Sequence, residues 1–140
     1  MTIPELLPPD RLALIIDDEP TIRAALKRYF IRRGWRVEEA SDGGIGLEML
    51  SRHGREIGVV ISDLRMPGFS GIDLHDRLAI EAPALLRRFV FSTGDVSSPD
   101  TASFVQRTAC PVLQKPFELR VLDQIVAAVV EGTAMERVIP

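Results

Sequence analysis

Leu12 to Ile16 is an unbroken apolar run that ends in Asp17-Asp18. Such a run fits a strand buried on both faces, as in a parallel sheet. Pro20 suits the first turn of a helix. Ile22, Ala25, Leu26, Tyr29 and Phe30 then recur at the spacing of one helix face, and Gly34 ends it. Trp35 to Ala40 predicts a second strand. Ser41-Asp42-Gly43 opens a helix through about Arg52, with Leu47 and Leu50 inward. Its interior glycines, Gly44 and Gly46, each cost about 1 kcal/mol relative to Ala. Ile57 to Ser62 is a third apolar run, followed by Asp63. Met66 to Gly71 is a loop by its Pro and Gly content. A helix to about Ala82 follows, with Leu74 and Leu78 on one face. Phe89 to Phe91 predicts a fourth strand, leading into Ser92-Thr93-Gly94-Asp95, and Pro99 to Arg107 a short helix. Val112-Leu113 predicts the fifth strand, leading to Lys115-Pro116. Leu122, Ile125, Val126 and Val129 mark a final helix, and the tail from Gly132 is expected to fray.

Strands alternating with helices predict an α/β domain: a parallel sheet covered on both faces. The polar residues then fall into a pattern. Asp17-Asp18 end the first strand, Asp63 the third, Thr93 the fourth and Lys115 the fifth. In open α/β sheets the ligand crevice lies at the carboxyl ends of the strands. Three carboxylates, a hydroxyl and an ammonium are thereby aimed at one place. Each has an ordinary explanation in isolation. Asp17 and Asp18 suit a helix N-terminus, and Asp63 an Asx turn. Thr93 suits a strand, and Lys115 a wet surface. The explanation that covers them together is a site.

Composition narrows the chemistry. The 140 residues are 46% hydrophobic and 26% charged, with net charge −3. These are globular values and carry no basic footprint for nucleic acid. No apolar run reaches the roughly 18 residues of a membrane span, and no signal peptide is evident. Cys110 is the single cysteine, so a reducing, cytoplasmic setting is expected. Cys110, His53, His75 and Trp35 read as packing or surface residues. Clustered carboxylates repel unless a proton or cation intervenes, and an all-oxygen set suits Mg²⁺.

The stretches IIDDEP at 15–20, ISDLRMPGFSG at 61–71, FSTGD at 91–95 and QKPF at 114–117 resemble the receiver domain of two-component response regulators. Order and spacing agree over about Leu12 to Val130. The resemblance implies a flavodoxin-like fold: a doubly wound, five-stranded parallel sheet of strand order 2-1-3-4-5. It implies a receiver domain over 12–131, after an N-terminal extension (1–11) and before a C-terminal tail (132–140). Asp63 would be the phospho-acceptor, with Asp18 and Asp63 ligating Mg²⁺ directly. Asp17 would act through water, and the Arg65 backbone carbonyl would complete the protein share. Lys115 would pair with a phosphoryl oxygen across a cis Lys115-Pro116 bond, and Thr93 would donate its hydroxyl. The phosphoryl donor would be a phosphohistidine of a histidine kinase or phosphotransfer protein. Helix four, strand five and helix five would offer a homodimer face.

Two positions depart from the commonest pattern. Val112 stands where many receivers carry Tyr or Phe, and Leu64, after Asp63, where many carry Trp. Arg65 and Asp95 are expected to face each other at the mouth of the crevice. The chain resembles the C-terminal receivers of hybrid sensor histidine kinases, and reads as a stand-alone receiver or one cut from a larger protein. The alternatives are a docking module that works without phosphate and a haloacid-dehalogenase-type phosphatase. The latter wants an acid two residues after its nucleophile, where this chain has Arg65.

Overall fold

The computed structural model describes residues 11–132 and 138–139. Five strands alternate with five helices: β1 (Leu12–Ile16), α1 (Pro20–Arg32), β2 (Arg36–Ala40), α2 (Gly43–His53), β3 (Ile57–Asp63), α3 (Gly71–Glu81), β4 (Phe89–Thr93), α4 (Pro99–Arg107), β5 (Val112–Gln114) and α5 (Leu119–Glu131). All strand pairings are parallel, in the order β2-β1-β3-β4-β5 that the resemblance implies.

The central strands are buried on both faces because each apolar run feeds two cores. Leu14, Ile16, Val60, Phe89 and Phe91 join Leu50 of α2, Leu74 and Leu78 of α3, and Phe104 of α4. Ala13, Ile15, Val59, Ile61 and Val90 join Leu26 and Phe30 of α1 and Leu122 and Ile125 of α5. The alternation is the period of two that points successive side chains to opposite faces of a sheet.

Three features differ from the sequence reading. Pro83–Arg88 form a 3₁₀ helix between α3 and β4; Pro83 opens it, and Pro favours such a first turn. Gly46 is no mere flaw in α2, because a Cβ there would meet Ile16 Cδ1 at 2.5 Å. The glycine lets α2 lie close on β1. Finally, Val138–Ile139 form a short β6, parallel to β5 and in register with Val112–Leu113. Among the described residues the five expected strands keep their expected order and β6 adds a sixth at the edge, so part of the tail expected to fray is paired; the rest lies outside the described residues. β6 sits on the outer edge of β5, the strand in the expected homodimer face. The step from β5 to β6 runs in the same direction across the sheet as β3 to β4 to β5, yet its helix lies on the opposite face. Its crossover has the opposite hand to the others, and such connections are rare.

Candidate functional site

β1 and β3 stop at the same level because their ends are in register, Ile16 with Ser62 and Asp63 with Ser92 of β4. Backbone bonds lace the ends together. Asp17 N–H donates to Ala40 C=O at 3.0 Å, Leu64 N–H to Ser92 C=O at 2.9 Å, and Lys115 N–H to Thr93 C=O at 2.7 Å. The Lys115-Pro116 peptide bond is cis. Beside β3, a Cβ on Gly71 would lie 2.0 Å from the Asp63 carbonyl oxygen. Only glycine lets the start of α3 fold back this close to the end of β3.

One tight acidic group results. Asp17, Asp18, Glu19 and Asp63 each offer a carboxylate oxygen, and these atoms lie within 4.8 Å of one another. Asp17 and Asp63 are buried, while Asp18 and Glu19 are exposed. The sequence reading assembled the three aspartates but passed over Glu19, whose place in the run Asp17-Asp18-Glu19 was the available signal. Lys115 Nζ reaches into the group, 3.0 Å from Asp17 Oδ2 and 3.4 Å from Asp63 Oδ2.

The electrostatics follow from burial. Removal from water pushes the Asp63 carboxyl up to about 6; Lys115 pulls it down, and the Asp17 charge and a backbone N–H from Arg65 act in opposite senses. Burial also works against the Lys115 charge, but the carboxylates of Asp63, Asp17 and Glu19 outweigh it and hold the ammonium above its ordinary range. Hard oxygen donors with no sulfur or imidazole fit a small dication such as Mg²⁺, and four carboxylates around one ammonium leave a surplus of negative charge.

Thr93 ends β4 and is buried, with its hydroxyl accepting from Asp95 N–H at 3.2 Å. A Cβ on Gly94 would meet nothing within 4 Å, so the space beside Thr93 is open. Arg65 makes no direct ion pair with Asp95, whose carboxyl is held below its ordinary range chiefly by Ser97 and, more weakly, by the Arg65 charge. Its Nη2 donates to Ser98 Oγ at 2.8 Å and lies 3.8 Å from Asp100 Oδ2, while Asp95 accepts from Ser97 N–H and Oγ–H. The short Asp95–Ser97 turn claims the Asp95 carboxylate locally, so Arg65 reaches past it to α4. Val112 is fully buried against the same core as Phe91 and Phe104.

His75 departs from its ordinary reading, while Trp35 is a packing residue, as read. His75 is buried and bonded at both ring nitrogens, Nδ1 to Asp76 and Nε2 to Thr108 Oγ1, each at 3.0 Å. It packs edge-on against Phe91 and Phe104. Trp35 is buried edge-on against Phe30, with Arg11 over its ring. Cys110 is a free, buried packing residue, as read.

Comparison with known proteins now decides the family. The sequence model of the response regulator receiver domain matches residues 13–127. The chain belongs to that family. The receiver domain is 33% identical over 133 residues to the transcriptional activator protein PfeR of Pseudomonas aeruginosa, covering 94% of this chain and 41% of PfeR. It is 30% identical over 118 residues to the sensor kinase CckA of Brucella abortus, covering 84% of this chain and 12% of CckA. It thus spans less than half of either relative. Among solved structures, a response regulator receiver protein from Pseudomonas putida superposes with a TM-score of 0.74 at 32% identity, over 84% of this chain and 96% of that one. The signal receiver domain of a signal transduction histidine kinase from Syntrophus aciditrophicus gives 0.75 at 25% identity, over 86% and 90%. This receiver domain is a signalling module of the two-component type.

Proposed function

We propose that this receiver domain takes a phosphoryl group onto Asp63 from a phosphohistidine of a histidine kinase or a histidine phosphotransfer protein. The observation that carries the reading is the buried Asp63 carboxylate at a strand end, 3.4 Å from Lys115 Nζ and grouped with three further carboxylates. An Asp63 oxygen forms a bond to phosphorus as the phosphorus–nitrogen bond to the donor imidazole breaks, giving an acyl phosphate. Lys115 supplies a fixed positive charge for one phosphoryl oxygen. Thr93 turns its hydroxyl from Asp95 to another, into the space that Gly94 leaves. Asp18, Asp63 and the Arg65 backbone carbonyl would hold Mg²⁺, with Asp17 acting through water; the ion supplies neutralisation of charge on the transferring group.

The relatives include a transcriptional activator and a sensor kinase, and a histidine kinase as donor fits either setting. The Syntrophus receiver and CckA support the hybrid-kinase setting. The absence of a ring at Val112 supports an output that does not use the usual Thr–aromatic coupling. Incubation with acetyl phosphate and Mg²⁺, followed by intact mass, tests the acceptor. Wild type gains one phosphoryl group and Asp63→Asn gains none. An equal gain in the variant removes Asp63 from the role.

A further inference from the structure

Lys115 Nζ has three carboxylate neighbours: Asp17 Oδ2 at 3.0 Å, Asp63 Oδ2 at 3.4 Å and Glu19 Oε1 at 3.8 Å. An ammonium has three N–H donors and no acceptor. Asp17 takes a hydrogen bond from it, and Asp63 and Glu19 stand at ion-pair distance. A phosphoryl oxygen arriving on Asp63 competes with these carboxylates for the ammonium.

The three partners differ in how firmly they are held. Asp17 is buried, and both its oxygens are in use, Oδ2 by Lys115 and Oδ1 by the Glu19 N–H at 2.9 Å. Asp63 is the acceptor. Glu19 is 58% exposed and makes the longest of the three contacts. It stands at the N-cap of α1, yet its side chain bonds no helix amide. Its backbone is fixed on both sides: the N–H donates to Asp17 Oδ1, and the C=O accepts from Arg23 N–H at 3.1 Å. Glu19 is thus a long anionic side chain on a rigid mount, at the solvent side of the site.

We infer that Glu19 is a displaceable counter-ion of Lys115, holding the ammonium before transfer and giving it up to the phosphoryl oxygen afterwards. The inference rests on the Asp63–Lys115 reading above. It carries two consequences of opposite sign. The Glu19 charge favours a dication, because its carboxylate oxygen lies within 4.8 Å of the other three. The same charge opposes an anionic phosphodonor and competes with the phosphoryl oxygen for Lys115. A residue that only builds the start of α1 would not separate the two effects.

Glu19→Gln keeps the side-chain length and removes the charge; Glu19→Asp keeps the charge on a shorter stem. Each is compared with wild type in the full chain. Mg²⁺ affinity is measured by calorimetry on the unphosphorylated protein. Phosphorylation is followed by intact mass at saturating Mg²⁺ with acetyl phosphate, where the Asp63 oxygen–phosphorus bond forms, the acetyl oxygen–phosphorus bond breaks and acetate leaves. Glu19→Gln should bind Mg²⁺ more weakly and take up phosphoryl faster, each by roughly three- to ten-fold, as expected for one charge at the mouth of a cleft. Glu19→Asp should restore both toward wild type. The ¹H–¹⁵N signals of the Lys115 ammonium should shift in Glu19→Gln before any phosphodonor is added.

Wild-type affinity and rate in Glu19→Gln, with Asp63→Asn inert, overturn the inference and leave the Asp63 reading standing. A rate that falls together with Mg²⁺ affinity, even at saturation, also overturns it and makes Glu19 a metal-site residue alone. A wild-type chain that takes up no phosphoryl group overturns both readings.

Discussion

Asp63 is only 6% exposed, and burial raises its carboxyl from the ordinary 3.8 to about 6. The folded chain then holds this proton more tightly than the unfolded chain does. Stability from that proton is fully present below about pH 4 and is lost as pH rises through about 6. Above that, the buried charge costs on the order of 3 kcal/mol. In metal-free buffer, Asp63→Asn is therefore expected to be more stable than wild type above pH 6, with the gap closing toward pH 4. Urea unfolding at a series of pH values measures it, and a gap that widens on acidification would contradict the assignment. Arg65 belongs to the same scale. Its contacts with Ser98 and Asp100 are exposed, and such pairs are worth about 0–1 kcal/mol. Arg65→Ala should leave the melting temperature nearly unchanged while altering the lifetime of phospho-Asp63 several-fold, through the loosened link to α4. A radiolabel chase reads that lifetime. The aspartates and Lys115 were legible as strand-end residues, but the partner of Arg65 was not. A flexible five-donor side chain chooses among nearby acceptors, and that choice depends on the Asp95–Ser97 turn.

α3 and α4 are clamped at one end. His75 bonds Thr108 at the C-cap of α4, and Asp76 receives both Nη1 and Nη2 of Arg107 at 2.5 and 3.1 Å. In the neutral ring the Asp76 carboxylate fixes the proton on Nδ1, so Nε2 accepts from the Thr108 hydroxyl. His75→Leu fills the space but loses both bonds, at a cost of about 1–3 kcal/mol. Urea unfolding should show that loss, while Mg²⁺ affinity stays at the wild-type value. A matching loss of Mg²⁺ binding would mean that the clamp shapes the site. Gly71→Ala should be far worse, because a Cβ 2.0 Å from the Asp63 carbonyl oxygen forces α3 away from β3. Sequence pattern found both helices, α3 through the apolar spacing of Leu74 and Leu78. It did not find the clamp, because a histidine on a helix face reads the same whether its neighbours are water or a threonine 33 residues away.

Across the whole molecule, the acidic site and the tryptophan lie at opposite ends of the sheet. Trp35 precedes β2 and packs on Phe30 with α1 and α5, while Asp63 ends β3. A five-residue strand at about 3.3 Å per residue separates the ends by on the order of 15 Å. Mg²⁺ should raise the melting temperature, with a stabilisation of about 2.7 kcal/mol at a hundredfold excess over Kd, and leave Trp35 emission nearly flat. Emission that saturates in step with the melting shift would show that binding reshapes the sheet. Sequence alone determined the α/β alternation, the two-sided burial of the strands, the convergence of Asp17, Asp18, Asp63 and Lys115, and the place of Thr93 at a neighbouring strand end. Each of these follows from local periodicity, because an apolar run with a polar end fixes both what is buried and where the polar group emerges. Tertiary structure alone decided the rest. It brought Glu19 to Lys115, sent Arg65 to α4, gave His75 a partner and set β6 on the edge of β5. Those outcomes depend on distances between elements, which no window of the chain contains.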